Sequence, residues 1–301
     1  MQLRFLQQLS QRLEAILRDR RPQAVVCVDY YGFNRRVLAL AKRHRVPAYY
    51  FISPQVWASR PSRVQVLKAH VRRMLVIFPF EETLYRNASV PVTFVGHPLL
   101  DTIPQPSPRL DASAPVVGLL PGSRTSELRR HLPICYEAFR LLRTKRPSLR
   151  GVLFAASQPD EAYGALPEGV TLVRDRDYRT RATLDVAICS SGTATLENAL
   201  LGIPMVVIYK LSSVTYLIAR AIVTVKHIAM ANVLAGREIV PELIQGDATP
   251  ERVAAAVAAI LDDSSRAEQM RSDLRALRAS LGEPGAVDRA AGIILDELSM
   301  R

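Results

Sequence analysis

The chain has 301 residues, 49% of them hydrophobic and 23% charged, which is enough to bury two cores of ordinary size and argues against disorder. Its 40 Lys and Arg against 28 Asp and Glu give a formal net charge of +12, a balance that attracts nucleic acid, an acidic membrane surface or phosphorylated substrates. Three cysteines without paired spacing argue against a disulfide framework or a zinc site and fit a reducing cytosol, so no metal is implied.

In chain order, MQLRFLQQLSQRLEAILRDRRP sets Leu6, Leu9, Leu13, Ile16 and Leu17 at helical spacing with charges throughout. That predicts an amphipathic helix, neither a signal peptide nor a spanning segment. AVVCVDY from Ala24, PAYYFIS from Pro47, RMLVIFP from Arg73 and VTFVGHP from Val92 are β-rich runs separated by helical patterns, the grammar of βα units and a parallel sheet. The proline-rich stretch 102–115 reads as an interdomain linker. Strand runs then resume as VVGLLPG, GVLFAAS, VTLVRD, DVAICS and PMVVIYK, with helical segments after Thr125, Thr193 and Ser213. The apolar stretch Val214 to Val225 contains Arg220 and is shorter than the ~20 residues a membrane span needs. From Thr249 three helical stretches follow, broken by DDSS and GEPG.

The expected class is α/β with two Rossmann-like, doubly wound domains: residues 1–101, a linker at 102–115, residues 116–262, and C-terminal helices at 263–301. Tandem domains of this kind create a cleft facing the carboxyl ends of both sheets, so chemistry is expected just after strands.

Four motifs stand there. In LLPGSRTSELRR a buried strand ends at Gly122, Ser123 and Arg124, and a helix begins near Thr125 with Glu127 in its first turn. Free amides at a helix start, a glycine turn and an arginine suit a diphosphate, although the same residues also make an ordinary strand-to-helix turn. In SSGTATLENALLGIPMVV the turn Ser190, Ser191 and Gly192 precedes Thr193, which can cap a helix, and Glu197 lies one turn inside. A carboxylate there can accept from two vicinal ribose hydroxyls, or simply favour the helix dipole. In VCVDYYGFNRRV, Asp29 ends an apolar strand, where it either takes a proton from an attacking hydroxyl or caps the next helix; Asn34 offers a helix-start or substrate contact. Trp57, with Arg60, Arg63, Lys68, Arg72 and Arg73 beside it, suits an interface of acyl chains and anionic head groups, or a solvated basic helix with one core aromatic.

SPQVWA, LVIFPFEETLY, FVGHPLLD, LLPGSRTSEL, SSGTATLENALLGIPMVVIYK and NVLAGREIVPELIQ occur in this order. Together they resemble the serial motifs of the lipid-A-disaccharide synthases, over residues 24–258. The resemblance implies a glycosyltransferase-B fold and a cytoplasmic enzyme, peripheral on the inner face of the inner membrane. It implies transfer of 2,3-diacylglucosamine from its UDP derivative to 2,3-diacylglucosamine 1-phosphate, with inversion, release of UDP and no metal or other cofactor. On the family pattern Asp29 falls on the essential strand-end aspartate, Arg124 on the PGSR arginine and Glu197 on the helix glutamate. Asn232, Arg237 and Glu238 fall on N-x-L-A-G-R-E, which implies UDP-sugar binding by them, and Gln55 lies within SPQVWA on the acceptor or membrane side. An anionic membrane surface and a homodimer complete the expected partners.

The chain departs from that pattern in two places. VDYYGFN stands where the family reads I-D-A-P-D-F-N, so Gly32 replaces a second acid. Nothing before Ala24 matches the family's opening strand, G-E-x-S-G-D loop and helix, which predicts an incomplete N-terminal domain with the Asp29 strand exposed at an edge. A chain begun at an internal methionine, a partner supplying the piece, and a degenerate homologue each account for this; the abrupt, uncapped helix start favours the first.

Two other functions compete. One is a different inverting UDP-sugar enzyme of the same fold, an N-acetylglucosaminyltransferase or an epimerase. The other is a basic binding protein, yet no helix-turn-helix, zinc or aromatic-stacking pattern appears, so nucleic acid is not an expected partner.

Overall fold

A computed structural model describes residues 2–58, 61–106, 114–175, 177–212, 216 and 226–300. Arg60, residues 107–113 of the proline-rich stretch and nearly all of the helical segment expected after Ser213 lie outside the described residues. The chain divides into two compact units, one built from residues 1–101 and 281–301, the other from residues 102–221 and 225–280.

The first unit holds four parallel strands in the order β1-β2-β3-β4: β1 Val25–Val28, β2 Ala48–Phe51, β3 Arg73–Val76 and β4 Val92–Phe94. Helices α1 Gln2–Arg20, α2 Tyr31–Arg43, α3 Arg63–His70 and α4 Pro79–Asn87 supply Leu17, Leu38, Leu67 and Tyr85 to a core with Cys27, Tyr50, Met74 and Val76. The alternate strand residues Tyr49 and Leu75, with Val95, meet Ala290 and Ile294 of the C-terminal helix Ala286–Ser299. Period-two alternation therefore feeds two cores, because both faces of the sheet are covered. The covering stops short at β1, which pairs only with β2 among the described residues. Val26 and Val28 are 46% and 51% exposed there, an uncovered apolar edge of the kind expected for the Asp29 strand.

The second unit holds six parallel strands in the order β10-β9-β8-β5-β6-β7: β5 Val116–Leu120, β6 Arg150–Phe154, β7 Val170–Val173, β8 Val186–Ser190, β9 Met205–Tyr209 and β10 Glu242–Ile244. The central strands β5 and β8 are buried along their whole length, which is why they read as unbroken apolar runs. Around them stand α5 Thr125–Lys145, α6 Thr193–Leu200, α7 Met230–Ala235, α8 Pro250–Leu261 and α9 Ser264–Ser280. Thr249 caps α8 by accepting from the Arg252 amide at 3.3 Å, with Pro250 at the first helical position. The strand order runs outward from β5 through β6 to β7, then returns to β8 on the other side of β5. That reversal is the switch point at which sheets of this class bind ligands. Cys27, Cys135 and Cys189 are buried free thiols, placed as small apolar residues.

Candidate functional site

Beside the switch point, past the carboxyl ends of β5, β6, β7 and β8, lies a cavity of about 360 Å³ within the second unit. Gly122, Ser123, Arg124, Ser191, Gly192, Thr193 and Glu197, all expected from sequence, line it together. Gly122 has φ 112°, and a Cβ there would sit 2.5 Å from the Glu127 Oε2, so the turn admits glycine alone. Glu127 folds back onto the turn and accepts from the Ser123 amide at 3.0 Å, the Arg124 amide at 3.2 Å and Arg124 Nη1 at 3.0 Å. Two amides expected to be free are therefore already taken. The open capacity for an anion lies with the amides of Thr125 and Ser126, unpaired among the described residues, and with the Arg124 guanidinium, whose side chain is 80% exposed.

At the second helix start Gly192, with φ 156°, occupies the cap, and Thr193 is the first helical residue rather than the capping one. The difference follows from the backbone, which takes a dihedral that a side chain disfavours and leaves open space beside the glycine. The amides of Gly192, Thr193 and Ala194 have no partner among the described residues. The Ser191 hydroxyl is used internally, donating to the Ile228 carbonyl at 3.1 Å. Two helix N-termini thus open on one cavity, each adding partial positive charge.

Glu197 does not stand alone. Its Oε2 accepts from Arg181 Nη1 at 2.5 Å and its Oε1 from the Tyr178 hydroxyl at 3.2 Å. Burial, then the neighbouring Glu197 charge, pushes the Tyr178 phenol up to about 12, which keeps it a donor. Arg181 is 9% exposed, its guanidinium 5.2 Å from the Phe154 ring centroid and 5.3 Å from that of Tyr178. Asp175 Oδ2 holds the Arg181 amide at 2.7 Å. Arg181, Tyr178, Asp175 and Phe154 were missed by sequence reasoning; the run of charges after β7, at a strand's carboxyl end, is the signal that could have found them.

Asn232, Arg237 and Glu238 do not line this cavity. Asn232 is fully buried and spends both donors on the Val240 carbonyl and Glu242 Oε1, each at 2.8 Å, while its oxygen accepts from the Ile239 and Val240 amides. It fastens the turn that leads into β10. Arg237 pairs with Asp273 at 2.7 Å on the surface, and Glu238 is exposed.

In the first unit, Asp29 and Tyr30 both take left-handed backbone, at φ 45° and 31°. Tyr30 is the helix cap and no side-chain cap bond forms, so Asp29 does not cap α2. Its carboxylate is exposed just past β1, while its carbonyl is gripped by Asn34 Nδ2 at 2.7 Å and the Tyr50 hydroxyl at 2.5 Å. Two consecutive strained residues cost roughly 1–3 kcal/mol each, a cost concentrated at functional turns. Asn34 is thus a helix-start contact. Trp57 is part-buried, donating Nε1 to the buried Glu81 at 3.1 Å and packing edge-on against Phe80, so its indole points into the fold. Gln55 is exposed on the same loop, and the Arg63 guanidinium sits 4.6 Å over the Tyr31 ring.

A sequence profile of the family described as lipid-A-disaccharide synthetase matches residues 1–294. The chain belongs to the lipid-A-disaccharide synthetase family. A lipid-A-disaccharide synthase of Syntrophus aciditrophicus is 43% identical over 307 residues, covering 97% of this chain and 80% of the relative. Among solved structures, a UDP-GlcNAc 2-epimerase of Neisseria meningitidis bound to UDP-GlcNAc superposes with TM-score 0.62 at 14% identity, over 97% of this chain and 82% of the other. The MurG protein of Acinetobacter baumannii does so with TM-score 0.62 at 16% identity, over 97% and 78%. At these identities the likeness concerns the fold, which is of glycosyltransferase-B type. Among the described residues of this synthetase-family chain, no helix is long and apolar enough to cross a membrane.

Proposed function

We propose that the chain is a lipid-A-disaccharide synthase, joining 2,3-diacylglucosamine from its UDP derivative to 2,3-diacylglucosamine 1-phosphate. The observation that carries this reading is the cavity at the switch point, where seven motif residues and two helix N-termini meet. There the amides of Thr125, Ser126 and Gly192 to Ala194 and the Arg124 guanidinium receive the diphosphate, and Glu197 accepts from the ribose. Asp29 takes the proton of the acceptor hydroxyl as its oxygen attacks the anomeric carbon. The bond from that carbon to the UDP oxygen breaks on the opposite face, so configuration inverts. The developing charge on UDP is met by fixed dipoles, the preorganised form of leaving-group stabilisation.

Acylated, phosphorylated substrates place this work at an anionic surface, the cytoplasmic face of the inner membrane, and the net charge of +12 supports that site. We include a homodimer in the proposal, supported by the uncovered edge of β1. Asn232 acts in this reading through the turn it fastens ahead of β10, while Arg237 and Glu238 lie outside the cavity lining.

The test is Asp29→Asn, assayed with both acylated substrates and, separately, for UDP binding by calorimetry. Transfer should fall by about 10²- to 10⁴-fold, the usual worth of a general base, while UDP affinity stays within twofold. Normal turnover would remove Asp29 from the mechanism. Equal turnover of acylated and unacylated UDP-glucosamine would favour a different UDP-sugar enzyme.

A further inference from the structure

Three observations converge on one carboxylate. Arg181 is buried between two aromatic rings and its Nε has no hydrogen-bond partner, so stacking and the Asp175 grip on its amide set its place. Tyr178, which delivers the second donor, holds left-handed backbone at φ 62°, a conformation that a bulky residue keeps only when its surroundings impose it. Both aim at Glu197: Arg181 forms an ion pair with it whose side chains are 11% and 20% exposed, and the Tyr178 hydroxyl donates to its other oxygen, so the carboxylate is held in one orientation before any ligand arrives.

We infer that Arg181 and Tyr178 are positioning residues that hold Glu197 as a receptor for the two vicinal hydroxyls of a ribose and so select ribonucleotides over 2′-deoxyribonucleotides. The inference rests on the reading of the cavity as a UDP site. A carboxylate has about four acceptor positions; Arg181 and Tyr178 use one on each oxygen, and one on each remains. The remaining pair matches a diol, whose hydroxyls can each donate to a separate oxygen. A 2′-deoxyribose leaves one of these charged acceptors unanswered, and a hydrogen bond to a charged group is worth roughly ten- to hundredfold in affinity. A carboxylate free to turn would lose that discrimination, since it could meet the single hydroxyl in many poses and the diol in few.

The experiment is calorimetric titration of the full chain with UDP and with 2′-deoxy-UDP, comparing the ratio of the two affinities. The unaltered chain should prefer UDP by about tenfold or more. Arg181→Met should lower that ratio to about two, by weakening UDP while 2′-deoxy-UDP stays within threefold. Arg181→Lys, which keeps the charge, should recover part of it. Tyr178→Phe removes one hydroxyl and should lower the ratio several-fold; it decides the matter should Arg181→Met fail to give a cooperative thermal unfolding transition. Glu197→Gln separates the two levels of the reading. A ratio lost in Glu197→Gln but kept in folded Arg181→Met and Tyr178→Phe overturns the positioning role. Equal weakening of both ligands by Arg181→Met also overturns it, because that marks a merely structural arginine. A ratio unchanged in Glu197→Gln, or no UDP binding by the unaltered chain, removes the underlying reading of the cavity and the inference with it.

Discussion

Glu81 is 1% exposed, with Oε1 accepting from Trp57 Nε1 at 3.1 Å and Oε2 from the Phe78 amide at 3.3 Å. Burial pushes its carboxyl from 4.5 up to about 7, against the pull of those donors. The folded state therefore holds a proton that the unfolded chain releases. Its contribution to stability is complete below pH 4.5 and is lost as pH rises through 7. His97 runs the other way, since burial lowers it from 6.5 to about 4, and its contribution is lost as pH falls across that interval. Glu81→Gln should thus be more favourable, relative to the unaltered protein, at pH 8 than at pH 5, by on the order of 3 kcal/mol. Denaturant unfolding at both pH values, followed by the emission of the chain's only tryptophan, Trp57, measures the difference. A pH-independent difference would mean that Glu81 is charged in the fold at pH 8 and pH 5 alike. At this scale the sequence was legible where a turn needs a particular residue, as at Gly122 and Gly192. It was silent on Arg181 and Tyr178, because a charge and a phenol in an irregular loop carry no spacing that says what they will meet.

Strands announce themselves through β-branched runs closed by turn residues, so β1 to β9 were readable. Strand β10 was not, because its three residues follow Pro241 and show too little alternation to register. Helix starts after Thr125 and Thr193 were visible, but not that Glu127 would take the Ser123 and Arg124 amides of the preceding turn. β1 is the element with the clearest liability. Among the described residues its pairing with β2 leaves the opposite edge open, and Val26 and Val28 present apolar surface beside it. Such edges recruit other strands. Val26→Thr with Val28→Lys should lower self-association in concentration-dependent light scattering, with stability changed by about 0.5 kcal/mol or less, as is usual for exposed positions. Unaltered association in the double variant would clear β1 of that role.

Across the whole molecule, the excess of Lys and Arg predicts attachment to acidic surfaces. Binding to vesicles containing phosphatidylglycerol should weaken sharply between 50 and 300 mM salt, as screening shortens to about 10 Å and below, while neutral vesicles bind little. Salt-insensitive binding would point to apolar insertion instead. The basic stretch beside Trp57 is smaller than its sequence suggests: Arg72 and Arg73 pair with Glu297 at 2.7 and 2.5 Å, and Trp57 turns inward to Glu81. No local pattern could reveal this, because Glu297 lies 225 and 224 positions away.

The same helix that carries Glu297 has a consequence for synthesis. Ala290 and Ile294 cover Tyr49, Leu75 and Val95, and Arg289 fastens the Val95 carbonyl at 2.9 Å. During translation the four strands of the first unit emerge early, yet one side of their sheet stays wet until residues 281–301 follow. At ordinary ribosomal speeds the intervening residues 102–280 take on the order of ten to forty seconds. Throughout that interval Tyr49, Leu75 and Val95 have no cover from Ala290 and Ile294, so that side of the nascent sheet is the one exposed to misassociation.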